Sequence, residues 1–160
     1  MAEFLDGVHF SASLPLCWQD APLQSAFEAS RYFEVLNAFE QTEERSVDDA
    51  KLDLQLLWLA RVLTPALPAP CTLTVGLEHV EWLATTQPAM QAGWLALCFS
   101  STFPYLVSLQ AQIESTLAVA DGWRCTARWR IEDDALRTAF ERTVFRRHRE
   151  QIRRQHTQEH

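Results

Sequence analysis

The segment at residues 123–131 has the sequence WRCTARWRI and indicates the fold more clearly than any other stretch. Apolar residues occupy every second position, and arginine or threonine occupies the positions between them. A period of two is typical of a β-strand with one buried and one exposed face. Asp121 and Gly122, directly before the segment, favour a tight turn between antiparallel strands. We therefore predict an antiparallel sheet that includes residues 123–131.

Similar patterns recur upstream of this segment. Residues 71–78 and 105–113 alternate between apolar and polar side chains, and residues 93–99 are almost wholly apolar. Residues 79–84 can continue the sheet or form a bulge. Because no helical pattern separates these segments, the predicted fold class is α+β, with a small antiparallel barrel or sandwich.

The first strand is predicted at residues 8–18, where short β-prone runs surround Pro15. Proline lacks the backbone N–H that a central strand needs, so the pattern favours an edge strand.

Three helices are predicted around the sheet. Asp20 can cap a first helix over residues 23–39. Ser46 can cap a second helix that ends near Leu63, before Pro65. A third helix should begin near Asp133 and close the chain.

A length of 160 residues fits a single domain. We expect barrel strands within residues 1–19 and 66–132. The first two helices then form an insertion at residues 20–64, and residues 133–160 form a closing helix.

The second helix carries two apolar faces instead of one. By helical geometry, one face holds Val47, Ala50, Leu54, Leu57 and Trp58, and the nearly opposite face holds Leu52, Leu56, Leu59 and Leu63. A surface helix needs one apolar stripe, so this helix should lie between two layers. One layer can be the first helix, and the other is the rest of the domain or another subunit. Self-association is favoured over a monomeric bundle, and its predicted residues are Val47, Ala50, Leu54, Leu57, Trp58, Leu36 and Phe39.

Charge is distributed unevenly along a chain whose net charge is −7. Residues 1–60 carry eleven acidic and three basic residues, whereas residues 142–154 carry six arginines and one glutamate. In the closing helix, an inner apolar face is predicted from Leu136, Ala139, Phe140, Val144, His148 and Ile152. Arg142, Arg146, Arg149 and Arg153 follow a 4-3-4 spacing on the other side.

This arginine stripe allows three interpretations. It can be a solvated helix face, an anion or nucleotide site, or a surface that docks onto the acidic helices of a neighbour. Nucleic-acid binding is not favoured, because an acidic protein repels phosphate. In addition, Trp123 and Trp129 should face the opposite side of their strand from Arg124 and Arg128.

No catalytic, cofactor-binding or metal-ligating motif is present, so an enzyme is not expected. Glu78, His79 and Glu81 could form an acid–base trio, but this interpretation is not favoured. The four cysteines have no metal or redox spacing and are expected to be reduced, mostly buried thiols. The chain contains no apolar run long enough for a membrane span and does not begin with a secretory signal, so a cytoplasmic location is expected.

The order of elements resembles the PilZ family, most closely the atypical class that assembles as tetramers through inserted helices. The sequences LPL at 14–16, AKLDL at 50–54 and FRRHR at 145–149 carry this resemblance. It implies a six-stranded barrel, a helical bundle as the assembly core, and bacterial signalling through cyclic di-GMP with links to motility, pili or virulence.

Typical PilZ domains bind the dinucleotide through RxxxR before the barrel and DxSxxG on the following strand. Residues 63–70 of this chain contain no arginine, and residues 76–81 match none of the three key positions of the second motif. Glu78 and Glu81 would place negative charge where phosphates lie in typical members. The resemblance therefore assigns no ligand residue, and cyclic di-GMP binding is not expected.

These observations predict a non-enzymatic, oligomeric adaptor or scaffold that contacts other, unidentified signalling proteins. The alternative is a cyclic di-GMP receptor in which the arginines of the closing helix form a non-standard site.

Overall fold

The computed structural model describes residues 7–41, 46–63 and 66–159. Within these ranges it contains six strands and three helices. In chain order they are β1 (His9–Gln19), α1 (Ala26–Gln41), α2 (Val47–Leu63), β2 (Pro70–Gly76), β3 (His79–Ala84), β4 (Ala92–Cys98), β5 (Leu106–Val119), β6 (Gly122–Trp129) and α3 (Asp134–Gln158). The predicted α+β class and the order of elements are confirmed.

The strands form a closed antiparallel barrel in the order β1-β2-β3-β6-β5-β4. The prediction that β1 is an edge strand is wrong, because β1 pairs with two other strands, β2 and β4, and so closes the barrel. Its residues from His9 to Pro15 pair with β2, and those from Leu16 to Gln19 pair with β4. Pro15 is the last residue of β1 in register with β2, and Leu16 is the first in register with β4.

Alternate residues of each strand fill the barrel, and α3 packs against α1 and β1. Phe140 of α3 is fully buried, and its ring makes edge contacts with two other rings. The distance between ring centroids is 5.9 Å to Phe33 of α1 and 5.3 Å to Trp129 of β6. Trp18 and Trp82 stack at 5.7 Å between centroids. One apolar core therefore joins the barrel, α1 and α3.

Helix α1 begins later than the sequence indicates. It starts at Ala26, and the hydroxyl of Ser25 accepts a hydrogen bond from the amide of Glu28 at 3.2 Å. The preceding residues are held by β5 instead, because the Gln24 Oε1 accepts from the Ser108 amide at 2.8 Å and the Leu23 amide donates to the Ser108 Oγ at 2.9 Å. Asp20 is therefore not the cap of α1.

The other helix boundaries agree with prediction. Ser46 Oγ accepts from the Asp49 amide at 3.1 Å at the start of α2, which ends at Leu63. Asp133 caps α3 by accepting from the Leu136 amide at 2.8 Å. Each carboxylate or hydroxyl satisfies a backbone donor that the first helical turn leaves free. Among the helices described, none is long and apolar enough to cross a membrane.

Candidate interaction surfaces

The barrel face formed by β3, β5 and β6 carries acidic groups that pair with the neighbouring arginines. Glu114 Oε1 lies 3.0 Å from Arg128 Nε, and its Oε2 lies 3.4 Å from His79 Nε2. Glu81 Oε1 lies 3.8 Å from Arg124 Nε. The arginines of this face are therefore partly neutralised by the chain's own carboxylates, which weakens their attraction for an added phosphate.

The segment at residues 76–81, the counterpart of the second PilZ ligand motif, lies in the turn from β2 to β3 and the first half of β3. Glu78 is exposed in the turn, and the Gly76 carbonyl accepts a hydrogen bond from Trp129 Nε1 at 3.2 Å. Glu81 is mostly buried, and its Oε2 has no hydrogen-bond partner among the described residues. A buried carboxylate oxygen without a donor disfavours a nearby anion.

Two groups of the possible acid–base trio have ion-pair partners on neighbouring strands. His79 contacts Glu114, whereas Glu81 contacts Arg124 on the neighbouring strand. Across the described ranges, no group of three or more His, Cys, Asp or Glu side chains could hold a metal ion.

The cysteines are free thiols in a partly or fully buried environment. Cys98 and Cys125 are buried, and Cys17 and Cys71 are half-buried. Burial raises the pKa of Cys125 to about 11 and also raises the pKa values of Cys17 and Cys71. These three groups are therefore protonated at neutral pH and are poor nucleophiles.

Helix α2 leaves most of its large apolar side chains in solvent. Trp58 is 58% exposed and Leu59 is 57% exposed, although they belong to opposite faces. The other exposed members are Val47, Ala50, Leu52, Leu54, Val62 and Leu63. Ala60 is buried, and Leu56 and Leu57 pack partly against the core. The sequence allowed α1 to be one of the two layers around α2, but the protomer contacts α2 along Leu56, Leu57 and Ala60, a line that runs between the two faces.

Two residues predicted for self-association contact other side chains of the same protomer. Leu36 is fully buried in the core cluster of α1, and this burial removes it from any surface. Phe39 is half-buried, with its ring 6.1 Å from that of Phe103. Helix α1 packs mainly against α3, and the sequence period alone does not say which partner covers a face.

The predicted arginine stripe divides into two kinds of residue. Arg142, Arg149 and Arg153 are exposed, and within the described chain none of them lies within 4.0 Å of a carboxylate. Arg146 is only 4% exposed, so its predicted place on the outer side is wrong. Ile152, predicted for the inner face, is 39% exposed because the buried part of α3 ends at Arg146.

Arg146 and its neighbours connect α3 to α1. Its guanidinium contacts Glu40, and its Nη2 donates to Asn37 Oδ1 at 3.1 Å. Thr143 Oγ1 donates to the same Asn37 oxygen at 2.9 Å, and Arg147 Nη2 lies 3.0 Å from Glu40 Oε1. The sequence feature that could have indicated this network is the spacing of Asn37 and Glu40 in α1. Because they are three residues apart, they place two hydrogen-bond acceptors next to a buried face of the helix.

A groove of about 820 Å³ lies between β1, the loop after β4 and the end of α3. Helix α3 holds the β1 side of the groove through Gln151. The Gln151 side chain accepts a hydrogen bond from the Ser11 amide at 3.1 Å and donates one to the Ser11 carbonyl at 3.2 Å. His148 Nδ1 lies 2.7 Å from the His9 carbonyl. The polar part of the lining includes Ser13, Ser100, Arg154 and Gln155. No local sequence pattern indicates this groove, because residues about 140 positions apart form it.

Comparison with known proteins agrees with this architecture. The family model described as "Atypical PilZ domain, cyclic di-GMP receptor" matches residues 37–156. A solved structure from Xanthomonas campestris superposes with a TM-score of 0.79 at 25% identity, covering 93% of this chain and 92% of that one. It is described as a pathogenic protein with a new tetrameric PilZ domain, self-assembled through an unusual helical bundle.

None of the curated proteins matches the chain significantly. The matching family is described as a receptor domain and not as an enzyme. Because its model covers most of the sequence and the barrel superposes on a PilZ structure, the chain belongs to the atypical PilZ domain family.

Proposed function

We propose that this protein is a cytoplasmic, non-enzymatic adaptor of cyclic di-GMP signalling that assembles as a homotetramer through α2. In this proposal the tetramer presents its barrels to other signalling proteins and does not bind the dinucleotide by itself. The observation that carries the proposal is the row of large apolar side chains that α2 leaves exposed.

The exposed part of α2 is far more apolar than a solvated helix requires. Removing apolar surface from water stabilises an assembly by about 25 cal/mol per Å², so each of these side chains contributes on the order of 1 kcal/mol when covered. Contiguous exposed apolar surface of this kind marks an interaction site. The similar Xanthomonas campestris structure is itself a tetramer joined by a helical bundle, which supports the same use of α2 here.

The proposal that the protein does not bind the dinucleotide directly rests on the two segments that correspond to the ligand motifs of typical PilZ domains. Neither residues 63–70 nor residues 76–81 contain an arginine, while the second segment holds Glu78 and Glu81. Arginine suits phosphate recognition because its guanidinium donates two parallel hydrogen bonds, whereas carboxylates repel phosphate. A signal that reaches this protein is therefore proposed to come through a partner protein.

A receptor with a non-standard site is the second candidate. Arg142, Arg149 and Arg153 are exposed cations without ion pairs among the described residues, and the family is described as a cyclic di-GMP receptor. This observation makes α3 the place to look for a dinucleotide site.

Calorimetric titration of cyclic di-GMP into the purified oligomer distinguishes the two candidates. We expect no saturable heat, because Glu78 and Glu81 oppose phosphate and neither motif segment supplies an arginine. A typical PilZ domain with both ligand motifs serves as the positive control. Saturable binding that Arg149→Ala and Arg153→Ala weaken at least tenfold would replace the adaptor proposal with the receptor candidate.

A further inference from the structure

One edge of β1 faces the groove that lies between β1, the loop after β4 and the end of α3. We propose that this groove binds an extended segment of a partner protein, which pairs with the backbone of Ser13 and places an acidic side chain beside Arg154. This inference rests on the proposed adaptor function, and it specifies the chemistry of the partner that the barrel contacts.

The first half of β1 has a strand on one side only. Residues 9–15 pair with β2, and pairing with β4 begins at residue 16. On the side away from β2, the Ser11 amide and carbonyl bond to Gln151 at 3.1 and 3.2 Å. The His9 carbonyl lies 2.7 Å from His148 Nδ1. Because backbone groups alternate between the two sides of a strand, Ser13 directs its amide and carbonyl to the same side.

Ser13 is the next residue along this edge, and α3 does not bond to it. Its register partner on β2 is Thr72, and this pair alternates with the hydrogen-bonded pairs of the ladder. Among the described residues, the Ser13 amide and carbonyl have no hydrogen-bond partner, although Gln155 of α3 lines the same groove. An unpaired amide and carbonyl on a strand edge are the groups that an added strand recognises. A residue of an extended segment can bond to both of them.

The wall formed by the loop after β4 is held in place by the protomer itself. Arg147 Nη2 donates to the Phe99 carbonyl and lies 3.0 Å from Glu40 Oε1. The Ser100 hydroxyl accepts from the Phe103 amide at 3.1 Å. The groove volume of about 820 Å³ is within the range of ligand pockets, about 300–1,000 Å³. A preformed groove of this size can receive a segment without the cost of being opened.

Arg154 gives the groove its preference for an acidic segment. Of the other charged residues in the lining, Arg147 pairs with Glu40. Glu150 Oε1 lies 3.3 Å from Arg146 Nη1. Arg154 has no ion pair within the described part of the chain, so its guanidinium is available to a carboxylate. The Ser13 carbonyl needs a donor in addition, which a backbone amide supplies and a phosphate does not.

Four variants separate the proposed contacts from the rest of the groove. Ser13→Pro removes the amide donor, whereas Ser13→Ala changes only the side chain. Proline is tolerated at this position of a strand because the N–H is not part of a ladder. Arg154→Glu reverses the charge in the groove, and Arg130→Glu makes the same change at an exposed arginine outside the lining. Light scattering and thermal unfolding confirm that each variant keeps the mass and fold of the wild type.

The probes are peptides selected from a phage-displayed library of random heptapeptides. The library is depleted on Ser13→Pro and then selected on the wild-type protein, and the recovered peptides are synthesised with blocked ends and a fluorescent label. Anisotropy titrations measure their dissociation constants. We expect these peptides to share an Asp or Glu. Ser13→Pro and Arg154→Glu should weaken binding by about tenfold or more, whereas Ser13→Ala and Arg130→Glu should change it by less than about twofold.

Two results would overturn this inference. If the selection recovers no binder, or if the peptides bind Ser13→Pro as tightly as the wild type, the β1 edge is not a peptide site. If Arg154→Glu keeps the wild-type affinity, the preference for an acidic segment is wrong. Either failure is distinguishable from failure of the adaptor proposal, because the titration with cyclic di-GMP and the wild-type mass test that proposal separately.

Discussion

Replacing Phe140 with alanine is expected to lower the free energy of unfolding by about 3–5 kcal/mol. The Phe140 ring is fully buried and lies where α1, α3 and the barrel meet, in edge contact with Phe33 and Trp129. Alanine at this position removes the buried ring and leaves a cavity that three rigid elements border, so the site can collapse only in part.

Denaturant unfolding followed by tryptophan fluorescence measures this loss, at one protein concentration because assembly adds to the apparent stability. Phe145→Ala is the matched control, since Phe145 lies on the same helix and is 39% exposed. We expect it to cost less than about 1 kcal/mol. Equal losses for the two variants would contradict the position of Phe140 at the centre of the core.

Replacing Arg146 with alanine is expected to cost about 3 kcal/mol. The side chain is buried and supplies donors to Glu40 and Asn37, so its removal leaves acceptors with fewer partners at the contact between α1 and α3. Removing one partner of a buried ion pair is costly because the remaining group stays desolvated. Arg147 still pairs with Glu40, which keeps the loss toward the lower end of the range for buried pairs.

Arg149→Ala, one turn further along α3, is the control for Arg146. Arg149 is exposed and has no ion pair among the described residues, so its loss should change the unfolding free energy by less than about 0.5 kcal/mol. Arg146→Lys should recover only part of the loss, because an ammonium cannot reproduce the forked donors of a guanidinium. An Arg146→Ala protein as stable as Arg149→Ala would show that the network does not hold α1 to α3.

The strands and most helix boundaries could be predicted from local signals. Alternation at residues 71–78 and 123–131 identifies strands because one face of the barrel wall is buried and the other is solvated. Ser46 and Asp133 mark helix starts because each satisfies a free backbone donor. These features depend on residues within a few positions of one another, so the sequence contains the information directly.

Features that depend on distant residues were not predictable in this way. Asp20 and Ser25 are both good helix caps, and the choice is made by Ser108 on β5, which binds Gln24. Arg146 has the same spacing as Arg142 and Arg149, and only Asn37 and Glu40 of α1 make it a buried residue. The groove beside Gln151 likewise needs β1 and α3 together. Tertiary partners decide these outcomes.

The apolar faces of α2 show what the helical period of apolar residues can predict and what it cannot. The sequence places apolar residues on two faces of α2, and it allows the first helix to be the layer that covers one of them. In the structure the protomer contacts α2 along Ala60 and its neighbours, and both faces remain largely exposed. This difference leaves side chains of both apolar faces exposed in the protomer.

The mass of the wild-type protein in solution tests the central claim, self-assembly through α2, most directly. Light scattering over a range of protein concentrations should give four times the chain mass of 18.4 kDa, with little change on dilution. A mass of one chain at every concentration would contradict the account, since the exposed leucines of α2 would then have no second copy to cover them.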